Sequence, residues 1–340
     1  MIREELNMSV EDVIPPWERL RSLRKCISQK GYARLLEAHS GLSGIIVQKA
    51  RVEVEGEVIE YDGLWESSLT DSATKGLPDA SIVGSESRTH TIDEILNVTT
   101  KPILVDGDTG GEPAQFEYLV KKLERMGVSG VIIEDKKYPK RNSLDHSSSQ
   151  KLEDPAIFAQ RIQAGRDVAI TDDFMVIARL ESLIAGAGLE DALERAERYM
   201  LAGADGIMIH SRRRDPSEIL AFAEAYQPLC RRLGRRPVLA SVPTTYNTIT
   251  DSELAANGFN IIIHANHLLR AAHKAMNEAA IAILESGRSL EADSICAPVS
   301  EVFSSVGLDR IATKDRERAD AMRSLSSRRD GATAPKGRGL

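Results

Sequence analysis

Short apolar runs rich in Val, Ile and Leu alternate along the chain with stretches whose apolar residues recur every three or four positions. The first pattern fits strands buried on both faces, and the second fits amphipathic helices packed against them. Strands are predicted near 34–38, 63–66, 102–105, 131–133, 175–180, 206–209, 237–242 and 260–263. Helices are predicted at 41–50, 113–126, 189–202, 251–257 and 268–285, with Asp154-Pro155 and Asp215-Pro216 opening two more. Residues 51–61 (RVEVEGEVIEY) alternate charged and apolar positions around Gly56, which predicts an inserted, exposed hairpin. Eight strands separated by helices predict an α/β fold, a (β/α)8 TIM barrel over residues 26–310. An open doubly wound sheet is the alternative, but it usually has fewer strands and a G-x-G-x-x-G turn, which is absent here. Residues 1–25 read as an N-terminal extension. Residues 311–340, charged and poor in apolar side chains, read as a disordered tail, with room for a short helix at 297–306.

Composition adds one constraint. Of 340 residues, 42% are hydrophobic and 28% charged, which suits one large core under an ordinary soluble surface. The formal net charge of -7 argues against general nucleic-acid binding. An acidic protein that binds an anion must focus positive charge locally, through a metal or through chosen Arg and Lys side chains. Cys26, Cys230 and Cys296 are far apart and form no C-x-x-C, so reduced thiols and a cytoplasmic setting are expected. Residues 1–20 lack the apolar run of a signal peptide, and no segment approaches the roughly 18–20 apolar residues of a membrane span.

Barrel enzymes build their sites at the C-terminal ends of the strands. There the sequence places Trp65, Ser67 and Ser68, then Asp106 and Asp108, then Glu134, Asp135 and Lys136. Arg179 and Glu181, His210 and Ser211, Pro243 and Thr244, and Asn266 follow the later strands. Any one of these is as easily a helix cap or loop group; seven consecutive polar strand ends favour a site. Asp106-Gly107-Asp108 is the sharpest signal, because two carboxylates at i and i+2 repel and invite a cation, Mg²⁺ or Mn²⁺ rather than zinc. Glu134 can join them. The plainer reading makes this turn a cap for the helix at 113. The loop 138–144 (YPKRNSL) is either a solvated loop or a lid over an anion. His210, His39, His264 and His267 are each as readily barrel residues as catalysts, and Arg212 to Arg214 read as a solvated helix start.

Seven segments together resemble the phosphoenolpyruvate mutase family of the isocitrate lyase superfamily: EAHSGLSG (37–44), GLWESSLT (63–70), DGDTGG (106–111), EDKKYPKRNSL (134–144), ARLESLIAG (178–186), GADGIMIHSR (203–212) and HANHLLRA (264–271). The resemblance covers about residues 30–310, and its most specific element is EDK followed, after five residues, by Asn142-Ser143. It implies interconversion of phosphoenolpyruvate and 3-phosphonopyruvate, which forms the carbon–phosphorus bond that begins phosphonate biosynthesis. It implies Mg²⁺ held by Asp106, with Asp79, Asp108 and Glu134 completing the shell, partly through water. Ser67, Ser68 and Leu69 would hold the substrate carboxylate beside Trp65, and Arg179 and His210 the phosphoryl group. Lys140, Asn142, Ser143 and Leu144 would form a gating loop, with Asn142 on the phosphoryl oxygens. The family also implies homotetramers or homodimers exchanging the helix at 268–285, and a downstream enzyme that consumes phosphonopyruvate. Three departures matter: Gly111-Glu112-Pro113 replaces a Tyr-Gly found in some members, the hairpin at 51–61 is an addition, and the gating loop has no Cys. The missing Cys argues against the sister lyases, and Asn142 favours mutase over phosphonopyruvate hydrolases, which tend to carry Thr. A non-catalytic barrel that binds a keto acid is the reading from another class.

Overall fold

A computed structural model describes residues 14–145 and 147–332, which fall into one unit ending at Lys274 and a second beginning at Ala275. The first unit opens with α1 (Pro16–Lys30), whose proline occupies a first-turn position where its missing N–H has no partner to lose. This helix buries Leu20 and Leu23, and Arg19 donates to the carbonyls of Leu96 and Thr99 at 3.0 and 2.7 Å. The expected extension over 1–25 is therefore corrected. From Pro16 onward the segment belongs to the core, because its leucines recur on one helical face; residues 1–13 lie outside the described residues.

The elements that follow are β1 (Ala33–Glu37), α2 (Gly41–Lys49), β2 (Arg51–Val54), β3 (Glu57–Glu60), β4 (Gly63–Glu66), α3 (Ser68–Thr74), α4 (Ser85–Leu96), β5 (Ile103–Asp106), α5 (Pro113–Met126) and β6 (Gly130–Glu134). Then come α6 (Pro155–Val168), β7 (Met175–Leu180), α7 (Ser182–Ala185), α8 (Gly188–Leu201), β8 (Gly206–Ile209), α9 (Ser217–Leu233), β9 (Val238–Ser241), α10 (Asp251–Ala256), β10 (Ile261–His264) and α11 (His267–Ser286). Eight parallel strands close in the order β1-β10-β9-β8-β7-β6-β5-β4, which excludes the open sheet. β2 and β3 pair antiparallel as the expected hairpin, exposed along its whole length. The helices α3, α4 and α7 were not anticipated. The first two lie in a polar, Ser- and Thr-rich stretch with no clear apolar period; α4 is held by tertiary packing of Ile92 and Ile95, whereas α3 buries only Ser68, Thr70, Asp71 and Ser72. α9 begins one residue later than Asp215-Pro216 suggested, with Asp215 accepting from the Ser217 N–H at 3.1 Å.

Strand alternation builds two cores. Leu35, Trp65, Leu104, Ile132, Ile177 and Ile263 pack inside the barrel with Leu23 of α1. Their strand neighbours Leu36, Leu64, Val105, Ile133, Ala178 and Ile262 face the helices. Close strand approach makes Gly130 obligatory, since a Cβ there would lie 2.6 Å from the Met175 carbonyl oxygen. Gly130→Ala should lower stability by about 1–3 kcal/mol, as overpacking a tight core does. Thermal unfolding checks it, and an unchanged midpoint would show that β7 yields freely.

The second unit holds the remainder of α11, a 3-10 turn at Leu290–Ser294, α12 (Val299–Ser305) and α13 (Leu308–Ala332). The expected disorder over 311–340 is thus corrected as far as Ala332. A chain rich in Ala, Arg, Asp and Glu holds a helix with little burial, helped by Arg318–Asp315 and Arg323–Asp320 pairs at 3.2 and 3.1 Å. Among the described residues no helix is long and apolar enough to cross a membrane.

Candidate active site

One cavity sits at the C-terminal ends of the barrel strands, about 60 Å³ in volume, which is room for on the order of four waters. Its wall includes Trp65 from β4, Asp106 from β5, Glu134 from β6, Arg179 from β7 and His210 just past β8. Ser67, Ser68 and Leu69 come from the start of α3, Asp79 from the loop after it, and Lys140, Asn142, Ser143 and Leu144 from the loop after β6. Of the residues that the resemblance assigns to the site, all but Asp108 line this cavity; the strand-end residues Asp135, Lys136, Glu181, Ser211 and Pro243 do not. Met208, Val242 and Ala265 complete the wall with Thr244 and Asn266, and the sequence reading had missed those three. Met208 was findable, since it stands two residues before His210 and inward residues alternate along a strand. His39, His264, His267 and Arg212 to Arg214 are not part of the wall.

The Asp106 carboxylate is held on two sides. Its Oδ2 accepts from the Ser68 hydroxyl at 2.8 Å and the Ser68 N–H at 3.3 Å, and its Oδ1 accepts from the Asp108 N–H at 3.0 Å. Burial pushes its pKa up, but Lys140, Arg179 and Arg88 outweigh that and hold the carboxyl below its ordinary range. Asp106 therefore stays ionised. Glu134 is different: burial dominates over Arg179 and Lys136 and raises it to about 7, and its Oε1 is buried with no hydrogen-bond partner. Asp108 points elsewhere. It adopts the left-handed φ of 53°, pairs with Arg88 at 2.9 Å, and meets Lys140 with its other oxygen. Neither aspartate caps α5, whose start is a reciprocal Glu112–Gln115 box, so the plainer reading of the turn fails.

Arg179 is the hub of the opposite wall. Its guanidinium donates to Glu181 at 2.5 Å and to the Ser143 hydroxyl at 2.7 Å, and lies 3.3 Å from Glu134. His210 Nδ1 lies 2.9 Å from both Arg179 and Glu181, and burial together with Arg179 lowers its pKa, so the imidazole is neutral. For Glu181, burial is overcome by Arg179 and His210, which hold it well below the usual carboxylate range. Both buried charges are thereby paired.

The loop after β6 is shut over the cavity. Lys140 is buried, donating to the Ser68 hydroxyl at 2.7 Å and pairing with Asp79 at 3.0 Å. Asn142 donates to Asp79 at 2.7 Å and accepts from the Leu144 N–H at 2.9 Å. Lys136 donates to the Ser143 hydroxyl at 2.6 Å and to the Arg141 carbonyl at 2.9 Å. Lys140 and Ser143 of this loop are buried, whereas Tyr138, Pro139 and Arg141 are exposed.

No three His, Cys, Asp or Glu side chains converge on a metal position among the described residues, so an all-protein cage of the zinc type is not built. A hard cation that keeps waters and needs only one or two carboxylates is a different matter. Asp106 and Glu134 share the cavity, and the unpartnered Glu134 Oε1 is an oxygen for such an ion to use. The donor set fits Mg²⁺ or Mn²⁺.

The sequence profile described as phosphoenolpyruvate phosphomutase matches residues 23–284. A phosphoenolpyruvate phosphomutase of Tetrahymena pyriformis is 36% identical over 91% of this chain and 98% of its own. The crystal structure of a phosphoenolpyruvate phosphomutase from Streptomyces platensis subsp. rosaceus superimposes with a TM-score of 0.78 at 34% identity, covering 87% of this chain and 98% of that one. A phosphonopyruvate hydrolase in complex with oxalate and Mg²⁺ superimposes with a TM-score of 0.76 at 30% identity, covering 88% and 98%.

Proposed function

Because this chain belongs to the phosphoenolpyruvate phosphomutase family, we propose that it is an isomerase interconverting phosphoenolpyruvate and phosphonopyruvate. One observation carries the reading: the lid residues Lys140, Asn142, Ser143 and Leu144 line the same small cavity as Asp106, Glu134 and Arg179. Phosphoryl transfer runs through a loose, metaphosphate-like state, so positioning, charge and the exclusion of water do most of the catalysis. A hydrolase needs water at that point; a closed lid favours the mutase.

In this reading Ser67, Ser68 and Leu69 bind the substrate carboxylate, and Trp65 packs against the pyruvyl carbons. Arg179, neutral His210 and Asn142 hold the phosphoryl group while it passes between the oxygen and the carbon of the pyruvate enolate. Asp79 fixes Lys140 and Asn142 in the lid. Asp106 and Glu134 would hold a divalent cation, Mg²⁺ by analogy with the hydrolase complex, with Asp108 next to it. When bound, that ion supplies positive charge to the enolate oxygen. The acidic net charge is thereby reconciled with an anionic substrate. A homo-oligomer also belongs to the proposal, since α11 buries none of its side chains and exposes Met276, Ile281 and Leu284. Phosphonopyruvate formed here is to be drawn off by a following enzyme.

Incubation with phosphonopyruvate and Mg²⁺, followed by phosphorus NMR, tests the assignment. Phosphoenolpyruvate as product is expected; phosphate with pyruvate would make the protein a hydrolase, and an unchanged spectrum a binding barrel. Asn142→Ala should lower kcat by about 10²–10³-fold, the usual loss for one transition-state donor, with little change in KM. An effect confined to KM would remove Asn142 from the phosphoryl group.

A further inference from the structure

Arg88, on α4, stands behind the cavity wall, and no motif singled it out. Its guanidinium grips the end of β5: Nη1 donates to the Asp106 carbonyl at 2.6 Å, and Nη2 pairs with Asp108 Oδ2 at 2.9 Å. Glu66, at the end of β4, lies 3.9 Å from Nε. It is fully buried, and neither of its carboxylate oxygens accepts a hydrogen bond. Burial raises its pKa well above the ordinary carboxylate range, against the opposing pull of Arg88, so it packs beside the guanidinium as a buried acid.

The turn under that grip has little slack. A Cβ on Gly107 would lie 2.7 Å from Val131 Cγ2 and 2.9 Å from Ile133 Cγ2, so the turn rests directly on β6. Asp108 holds a left-handed backbone that side-chain-bearing residues disfavour. Its carbonyl accepts the Glu134 N–H at 2.7 Å. One guanidinium thus fastens Asp106 directly and Glu134 through the Asp108 backbone.

We propose that Arg88, seated on Glu66, is a positioning residue that aims the Asp106 and Glu134 carboxylates at a shared divalent cation; this rests on the reading of those two groups as its ligands. A planar fork serves the carbonyl and the carboxylate from two nitrogens in fixed geometry; a lysine ammonium has its three donors on one rotatable nitrogen. Arg88→Lys is the test, with Mn²⁺ binding followed by electron paramagnetic resonance and turnover followed on phosphonopyruvate. Mn²⁺ affinity should weaken by about 10–100-fold, the usual loss when a ligand's supporting partner is removed. At fixed low metal kcat should fall by a similar factor, KM for phosphonopyruvate should stay within about twofold, and added Mn²⁺ should restore part of kcat. A purely structural role would lower the melting temperature without shifting the metal titration. Unchanged Mn²⁺ affinity in a folded Arg88→Lys protein overturns the role of Arg88 alone, whereas a wild-type chain that neither binds Mn²⁺ nor turns over overturns both this role and the reading beneath it. If Arg88→Lys does not fold, Arg88→Gln carries the same titration, because it keeps an amide donor for the Asp106 carbonyl and loses the Asp108 pair. Unweakened affinity there overturns the proposal equally.

Discussion

Asp106→Ala should leave no measurable interconversion of phosphonopyruvate and phosphoenolpyruvate, a loss of at least about 10³-fold. Charge stabilisation by a bound cation contributes several kcal/mol, and each 1.36 kcal/mol is roughly tenfold in rate. The substitution also strips the Ser68 hydroxyl, the Ser68 N–H and the Asp108 N–H of their acceptor. Asp106→Asn separates these effects. It keeps an oxygen for Ser68 but loses the charge, and it should be as inactive as the alanine variant while unfolding close to the wild-type temperature. Phosphorus NMR at saturating Mg²⁺ gives the answer; near-normal turnover in either variant would remove Asp106 from the centre of the chemistry.

The second large effect is expected at Arg179. Arg179→Lys keeps the positive charge but gives up the fork that serves Glu181, Ser143, His210 and Glu134 together. Activity should fall by about 10²–10³-fold through loss of a phosphoryl donor. Stability should fall by about 1–3 kcal/mol as charged partners go unsatisfied, or about 2–4 °C in melting temperature per kcal/mol for a domain of this size. The two losses are measured separately, by steady-state kinetics and by calorimetry. A variant that is destabilised yet fully active would make Arg179 a brace for Glu181 and nothing more.

Much of this was legible in the sequence because a parallel barrel writes its pattern plainly. Continuous apolar runs gave β4, β7 and β8 to the residue, and Gly127 and Gly203 marked where the preceding helices stop. The strand-end rule then located Asp106, Glu134, Arg179 and His210 without any coordinates. What it could not supply was direction. Asp106 and Asp108 looked equivalent, and only the left-handed backbone at Asp108 turns one toward the cavity and the other toward Arg88. Arg88 and Glu66 were hidden for a related reason: their meaning lies in a contact between a strand end and a helix that polar composition had concealed. At the C-terminus the charged composition was read as disorder, although residues of that kind also make serviceable exposed helices.

Glu134 and Arg179 face each other as paired positions on adjoining strands, β6 and β7. Their meeting is therefore fixed by how those two strands are aligned. Successive side chains on a strand point to opposite sides, so a slip of one residue would turn one of the pair out among the helices. An insertion or deletion within either strand would then leave a chain still able to fold around an apolar centre, but with its carboxyl group and its guanidinium parted. The spacing between Gly130 and Glu134, and between Met175 and Arg179, is as much a part of the chemistry as the side chains themselves.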